Sequence, residues 1–279
     1  MAVFRVADRR TRRGTHDMIM AMAKYGNHGI KGDYGHPFKT DADVKRYFEE
    51  DGYDYRDVVD YCRDKDAHVP GMENLLGAGY SIDSTGGKVS YVDKSGEEIV
   101  LGEDEGAGGF SYPSYAGLFE KAVKDFNRCL DSADYDEVLS CVSFGVSSVE
   151  AYLNQEVKVY NRHNPGKELI ENKQNKKSFD DQIDEWIPIM TGSKKLDKGD
   201  QRWQHFKRLR GIRDSNQAHV KVAVLGSSHN RLGELLNCFG TGIAGMLLAL
   251  HVLFDDRKTP ATIIRHAYLP PVEMVAARV

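Results

Sequence analysis

The stretch from Gln201 to His219 gathers the side chains best suited to chemistry on a charged substrate. Arg202, Lys207, Arg208, Arg210 and Arg213 follow one another with no acid among them until Asp214, and His219 closes the run. A histidine with an ordinary pKa of about 6.5 can give or take a proton near neutrality. A planar arginine fork matches a phosphoryl group better than a lysine point charge. Together they suit proton transfer beside a developing oxyanion. Four arginine–histidine pairs have four to six residues between them: Arg9/His16, Arg10/His16, Arg63/His68 and Arg213/His219. Only the last combines a polar residue directly after the arginine, an apolar-striped helix with Trp203, Phe206, Leu209 and Ile212 at spacing three, and a long apolar-striped helix earlier in the chain.

These residues need a frame, and the second half of the sequence supplies one. Helices are expected over Ser114 to Leu130, Asp136 to Tyr160, Phe179 to Ile187, Arg202 to Val222 and Asn230 to Phe254, from apolar residues recurring every three or four positions. Pro188 and Gly192 should end the third. After Pro260 an extended tail is expected, since Pro270 and Pro271 forbid a continuous helix. The fold class is therefore mainly α: a helical bundle over 111–258 and a tail over 259–279, preceded by a small α+β domain over 1–105. A glycine-rich acidic run from Gly102 to Gly109 reads as the linker between them. In the small domain, helices are expected near Thr15 to Lys24, from Thr40 or Asp41 to Glu50, and from Asp54 to Lys65. Strands are expected at Lys88 to Val92 and Glu97 to Leu101. Three short helices and a hairpin suit a winged-helix shape. The third helix, however, carries Asp54, Asp57, Asp60 and Asp64, which repel phosphates and favour a protein partner over DNA there.

An arginine, a polar residue after it and a histidine a few positions on, late in a helical bundle, resembles the HEPN family of ribonucleases and RNA-binding domains. The carriers here are Arg213, Asp214 and His219. The earlier stretch from Ser143 to Asn154 also resembles an early bundle helix of that family, and Asp184 to Gly192 fits the same layout. The resemblance spans 111–258. It implies metal-independent RNA cleavage without a cofactor, leaving 2′,3′-cyclic phosphate and 5′-OH ends, by a toxin or antiviral effector. Arg213 would stabilise the transition state and His219 transfer protons. Asp214, Asn216 and Glu150 would support them, and Lys207, Arg208 and Arg210 would hold the RNA backbone. The family's usual face-to-face pairing implies a homodimer. One branch carries a tyrosine two residues after the histidine; that position here is Lys221, so the branch is not carried over. The alternative is a non-catalytic RNA- or protein-binding scaffold, or a winged-helix regulator that dimerises through the bundle.

Composition bounds the rest. The four cysteines, Cys62, Cys129, Cys141 and Cys238, are far apart and form no disulfide framework or zinc motif, so a reducing cytoplasm is expected. His28, His36 and His68 follow no metal-ligand spacing, and no metal is expected. The glycines at 240, 242 and 245 lie within a helix rather than after a strand, which suits close helix packing better than phosphate binding. The most apolar segment, Gly242 to Phe254, is shorter than the ~20 residues that span a bilayer, so no membrane partner is expected. The formal charge of −4 averages two unlike parts. Residues 1–110 hold 15 basic against 21 acidic residues, whereas Lys158 to Lys221 holds 15 against 9. A polyanion partner is thus expected along the basic segment.

Overall fold

The structure, a computed structural model, describes residues 2–6, 80–83, 88–92, 98–102, 114–170, 177–217, 229–254 and 259–276. Among them it is mainly helical. Helix α1 (Ser114–Ser132) buries Tyr115, Phe119, Ala122, Phe126 and Cys129, a stripe along one side of the helix. It turns back through Ala133, whose φ of 51° is left-handed, into helix α2 (Tyr135–His163). Asp134 caps α2 by accepting the Asp136 N–H at 2.7 Å. Acidic Asp136 and Glu137 in the first turn, with Arg162 and His163 in the last, complement the helix dipole. Val138, Val142, Val146, Val149 and Leu153 line its buried side. Buried Asp125 joins the two helices by accepting a hydrogen bond from Ser140 Oγ at 2.6 Å.

Helix α3 (Phe179–Thr191) starts at a capping box between Ser178 and Asp181. It passes through Pro188 rather than ending before it, and stops at Gly192 with a φ of 69°. Proline removes a donor and crowds the preceding turn. Here the break comes only one turn later, where the Pro188 carbonyl accepts the Ser193 N–H at 2.8 Å. Helix α4 (Gln201–Gln217) buries Trp203, Phe206 and Leu209. Asp200 starts it by accepting the Arg202 N–H at 2.8 Å.

The last long helix has three parts: α5 (His229–Phe239), a π-helical turn over Gly240–Ala244, and α6 (Gly245–Phe254). The glycines serve close packing, as expected. A Cβ on Gly242 would lie 2.9 Å from the backbone of His205 and Phe206, and one on Gly240 would lie 2.7 Å from the His266 carbonyl. From Arg231 to Phe254 this element is long and apolar enough to cross a membrane, longer than the sequence segment suggested, and 78% of its most apolar window is buried within the fold.

The tail differs from the extended chain expected. Helix α7 (Ala261–Ala267) buries Ile263 and Ile264. Only after Pro270 and Pro271 does a strand form, Val272–Ala276. It pairs antiparallel with strand Ala2–Val6, Phe4 opposite Met274. These are β1 (Ala2–Val6) and β5 (Val272–Ala276). Phe4 is 2% exposed and enters the bundle core. The first residues therefore belong with the bundle, not with the small N-terminal domain. Asn237 fixes the arrangement: its Oδ1 accepts the Val272 N–H at 2.6 Å and its Nδ2 donates to the Val272 carbonyl at 3.0 Å.

Strands β2 (Tyr80–Asp83), β3 (Lys88–Val92) and β4 (Glu98–Gly102) form an antiparallel meander. The last two match the expected hairpin, and β2 adds a third strand. The helices expected near residues 15–24, 40–50 and 54–65 lie outside the described residues, as do His28, His36, His68 and Cys62.

Candidate functional site

Helix α4 presents cations on two different faces because 3.6 residues make a turn. Arg210 and Arg213, three positions apart, share one face. Against it stands Glu150 on α2, a polar residue next to the apolar stripe of Val146, Val149 and Leu153. The Arg213 guanidinium meets the Glu150 carboxylate fork to fork, Nη1 to Oε2 at 2.6 Å and Nη2 to Oε1 at 2.9 Å. Its Nε and Nη2 also donate to Asp214 Oδ1 at 3.0 and 2.8 Å. Arg213 is 14% exposed, Glu150 27% and Asp214 49%. Burial alone pulls the Arg213 pKa down, but the hydrogen bonds and charges of Glu150 and Asp214 outweigh it, and the guanidinium ends above its ordinary value. It is a fixed cation.

Arg210 extends the cluster. Its Nη1 donates to Asp180 Oδ1 at 3.1 Å, and its guanidinium carbon lies 5.0 Å from the centroid of the Phe179 ring. Its Nε lies 3.5 Å from Glu150 Oε1 and 3.8 Å from Asp214 Oδ2, yet makes no hydrogen bond although it is buried. Two arginines from α4 thus bridge three carboxylates from α2, α3 and α4. Asp180 and Phe179 carry no signal in the sequence beyond their place at the start of α3. The Ser178–Asp181 capping box sets that start and so places them beside Arg210.

The other face is looser. Arg208 Nη2 donates to Glu234 Oε2 at 2.7 Å, and its Nη1 lies 3.8 Å from the Cys238 sulfur. Arg208 is 46% exposed, and the bond to Glu234 holds its pKa up. Lys207 is exposed. His205, one turn before Arg208, has its pKa lowered by burial first and then by the Arg208 charge. Its Nδ1 is buried without a hydrogen-bond partner. His205 precedes Arg213 by eight residues, about 12 Å along the helix, beyond direct reach. The three residues expected on the RNA backbone are therefore divided: Lys207 and Arg208 are accessible, while Arg210 is held with Arg213.

Asn216 lies in the last turn of α4, and its side chain lies outside the described residues. His219 also lies outside them, two positions past the described end of α4. A cleft of about 320 Å³ sits at the opposite end of α4, against Asp200, Arg202, Trp203 and Tyr268. Arg202 is ~16 Å from Arg213 along the helix, so this cleft is separate from the charged cluster.

Cys129, Cys141 and Cys238 are buried free thiols. Burial, then the charges of Glu137 and Asp125, pushes the Cys129 thiol up to about 12, which leaves it protonated and unreactive. Among the described residues no group of histidines, cysteines and carboxylates has metal-binding geometry. Comparison with protein-family models, with characterised proteins and with solved structures gives no match for this chain.

Proposed function

We propose that the chain is a metal-independent endoribonuclease of the HEPN type, built around Arg213 and His219 and working as a homodimer. The observation that carries this reading is the Arg213 guanidinium, fixed by Glu150 and Asp214 six residues before His219. In the reaction, the ribose 2′-oxygen forms a bond to the adjacent phosphorus and the bond to the 5′-oxygen breaks. A base takes the 2′-hydroxyl proton and an acid returns one to the leaving 5′-oxygen. Two chains face to face supply two His219 side chains per site, enough for both transfers. Arg213 holds the charge that gathers on the non-bridging oxygens. Lys207 and Arg208, both exposed, hold the flanking backbone. Such an activity suits a toxin or antiviral effector in the cytoplasm, with the N-terminal part engaging a protein partner.

A second reading has an observation of its own. Four of the five Arg213 N–H groups already donate to carboxylates. That saturation favours a non-catalytic RNA- or protein-binding scaffold, or a regulator that dimerises through the bundle. Incubation with structured RNA and tRNA in EDTA, beside Arg213→Ala and His219→Ala variants, separates the two. The ribonuclease reading expects cutting by the wild type and loss in both variants. An inert wild type would leave the scaffold, and variants that cut equally well would take the chemistry away from Arg213 and His219.

A further inference from the structure

An arginine that must receive a scissile phosphate cannot keep all its carboxylates, and the cluster contains a place for one of them to go. Asp214 is the most exposed of the acids on Arg213, 49% against 27% for Glu150. Its contact with Arg213 joins adjacent residues, which do not face each other along a helix, whereas Arg210 and Asp214 are i, i+4 neighbours on one face. The Arg210 Nε is a buried donor that makes no hydrogen bond, 3.5 Å from Glu150 Oε1 and 3.8 Å from Asp214 Oδ2; Glu150 is already engaged fork to fork with Arg213. A buried unsatisfied donor is costly and rare. Asp180 and the Phe179 ring hold the rest of that guanidinium in place, so the donor stays within a short movement of Asp214.

We propose that Arg210 is a positioning residue for the Arg213 site: it takes the Asp214 carboxylate from Arg213 when a phosphate arrives. The exchange frees Arg213 Nε and one Nη2 hydrogen for the phosphate and satisfies Arg210 Nε. Glu150 stays bidentate and keeps Arg213 aimed. The backbone-binding role expected for Arg210 passes to Lys207 and Arg208. This inference rests on the proposed binding of RNA phosphate at Arg213.

The test measures binding of a 2′-deoxy-substituted, non-cleavable RNA oligonucleotide to full-length wild type, Arg210→Met, Asp214→Asn and the double variant, with helicity checked for each. Removing one negative charge tightens binding in any case, so Asp214→Asn in the wild-type background should gain about two- to threefold. In the Arg210→Met background, Asp214 has nowhere to go, and the same substitution should gain about tenfold, a coupling of the size neighbouring residues show. Equal gains in the two backgrounds overturn the exchange. Should Arg210→Met fail to fold, Arg210→Lys, which keeps a cation beside Asp180 and Glu150 but lacks Nε, takes its place, and equal gains there overturn the exchange as well. Because cleavage is not read, failure of the exchange is distinct from failure of the ribonuclease reading. That reading fails by an inert wild type on cleavable RNA.

Discussion

Arg208 and Arg213 stand on the same helix, five residues apart, and do different work. Arg213 is 14% exposed and grips two carboxylates with four N–H groups, whereas Arg208 is 46% exposed and grips one. The difference comes from what faces each. Arg213 looks toward α2, where Glu150 is 27% exposed; Arg208 looks toward α5, where Glu234 is itself 61% exposed. Half-buried fork-to-fork pairs fix geometry, and exposed single pairs contribute little and are screened by salt. A basic run in sequence is therefore not one surface. One side of α4 is held in place by carboxylates and the other stays open to solvent.

The contrast depends on α4 keeping its seat against the π-helical turn. Gly242→Val would force a side chain into backbone 2.9 Å away and should destabilise the fold by about 3 kcal/mol, through overpacking against atoms that cannot yield. Urea unfolding would register it, and both faces of α4 should lose their ion pairs together. A smaller and more selective break comes from the carboxylates. Glu150→Ala should cost about 2 kcal/mol, because it leaves a largely buried arginine short of its main partner. Glu234→Ala should cost under about 0.5 kcal/mol. Equal costs would mean that the two faces are not distinct.

Salt dependence sharpens the same comparison. If Lys207 and Arg208 hold phosphates, removing either should reduce the slope of log affinity against log salt by about 1. Arg210→Met should leave that slope nearly unchanged, since Arg210 neutralises carboxylates rather than phosphates. The smallest effect concerns His205, on the looser side. Its folded pKa lies below the usual 6.5, so the unfolded chain binds a proton the folded chain resists. His205 therefore costs nothing above the unfolded value and removes stability as pH falls below 6.5 toward the folded value. Urea midpoints measured across that range should decline less steeply in His205→Gln than in the wild type.

Much of this was legible from local pattern. The helices of the bundle announced themselves because each carries a continuous apolar stripe, as in Val138, Val142, Val146 and Val149. Glu150 and Arg213 could be singled out as charged residues next to such stripes. What was not legible depends on partners distant in sequence. Nothing near Ala2–Val6 says that it pairs with Val272–Ala276, or that Phe4 fills the bundle core. Nothing near Pro188 says that the helix survives it by one turn. Asp180 looks like any acid at a helix start until α3 is set against α4. The seven residues of α7 were too short to show a period, and the prolines after them pointed to extended chain. That Arg208 and Arg213 point to different sides follows from helical geometry, but which side is covered does not.

On the proposed reading, Arg213 and His219 together cut RNA without metal. The most direct measurement follows cleavage of a defined RNA in EDTA by wild type and His219→Ala, with product ends identified and RNA binding measured in parallel. The wild type should leave 2′,3′-cyclic phosphate and 5′-OH ends, and the His219→Ala variant should bind RNA as tightly but not cut. Cleavage that persists in His219→Ala, or products with 3′-OH and 5′-phosphate ends, would contradict it.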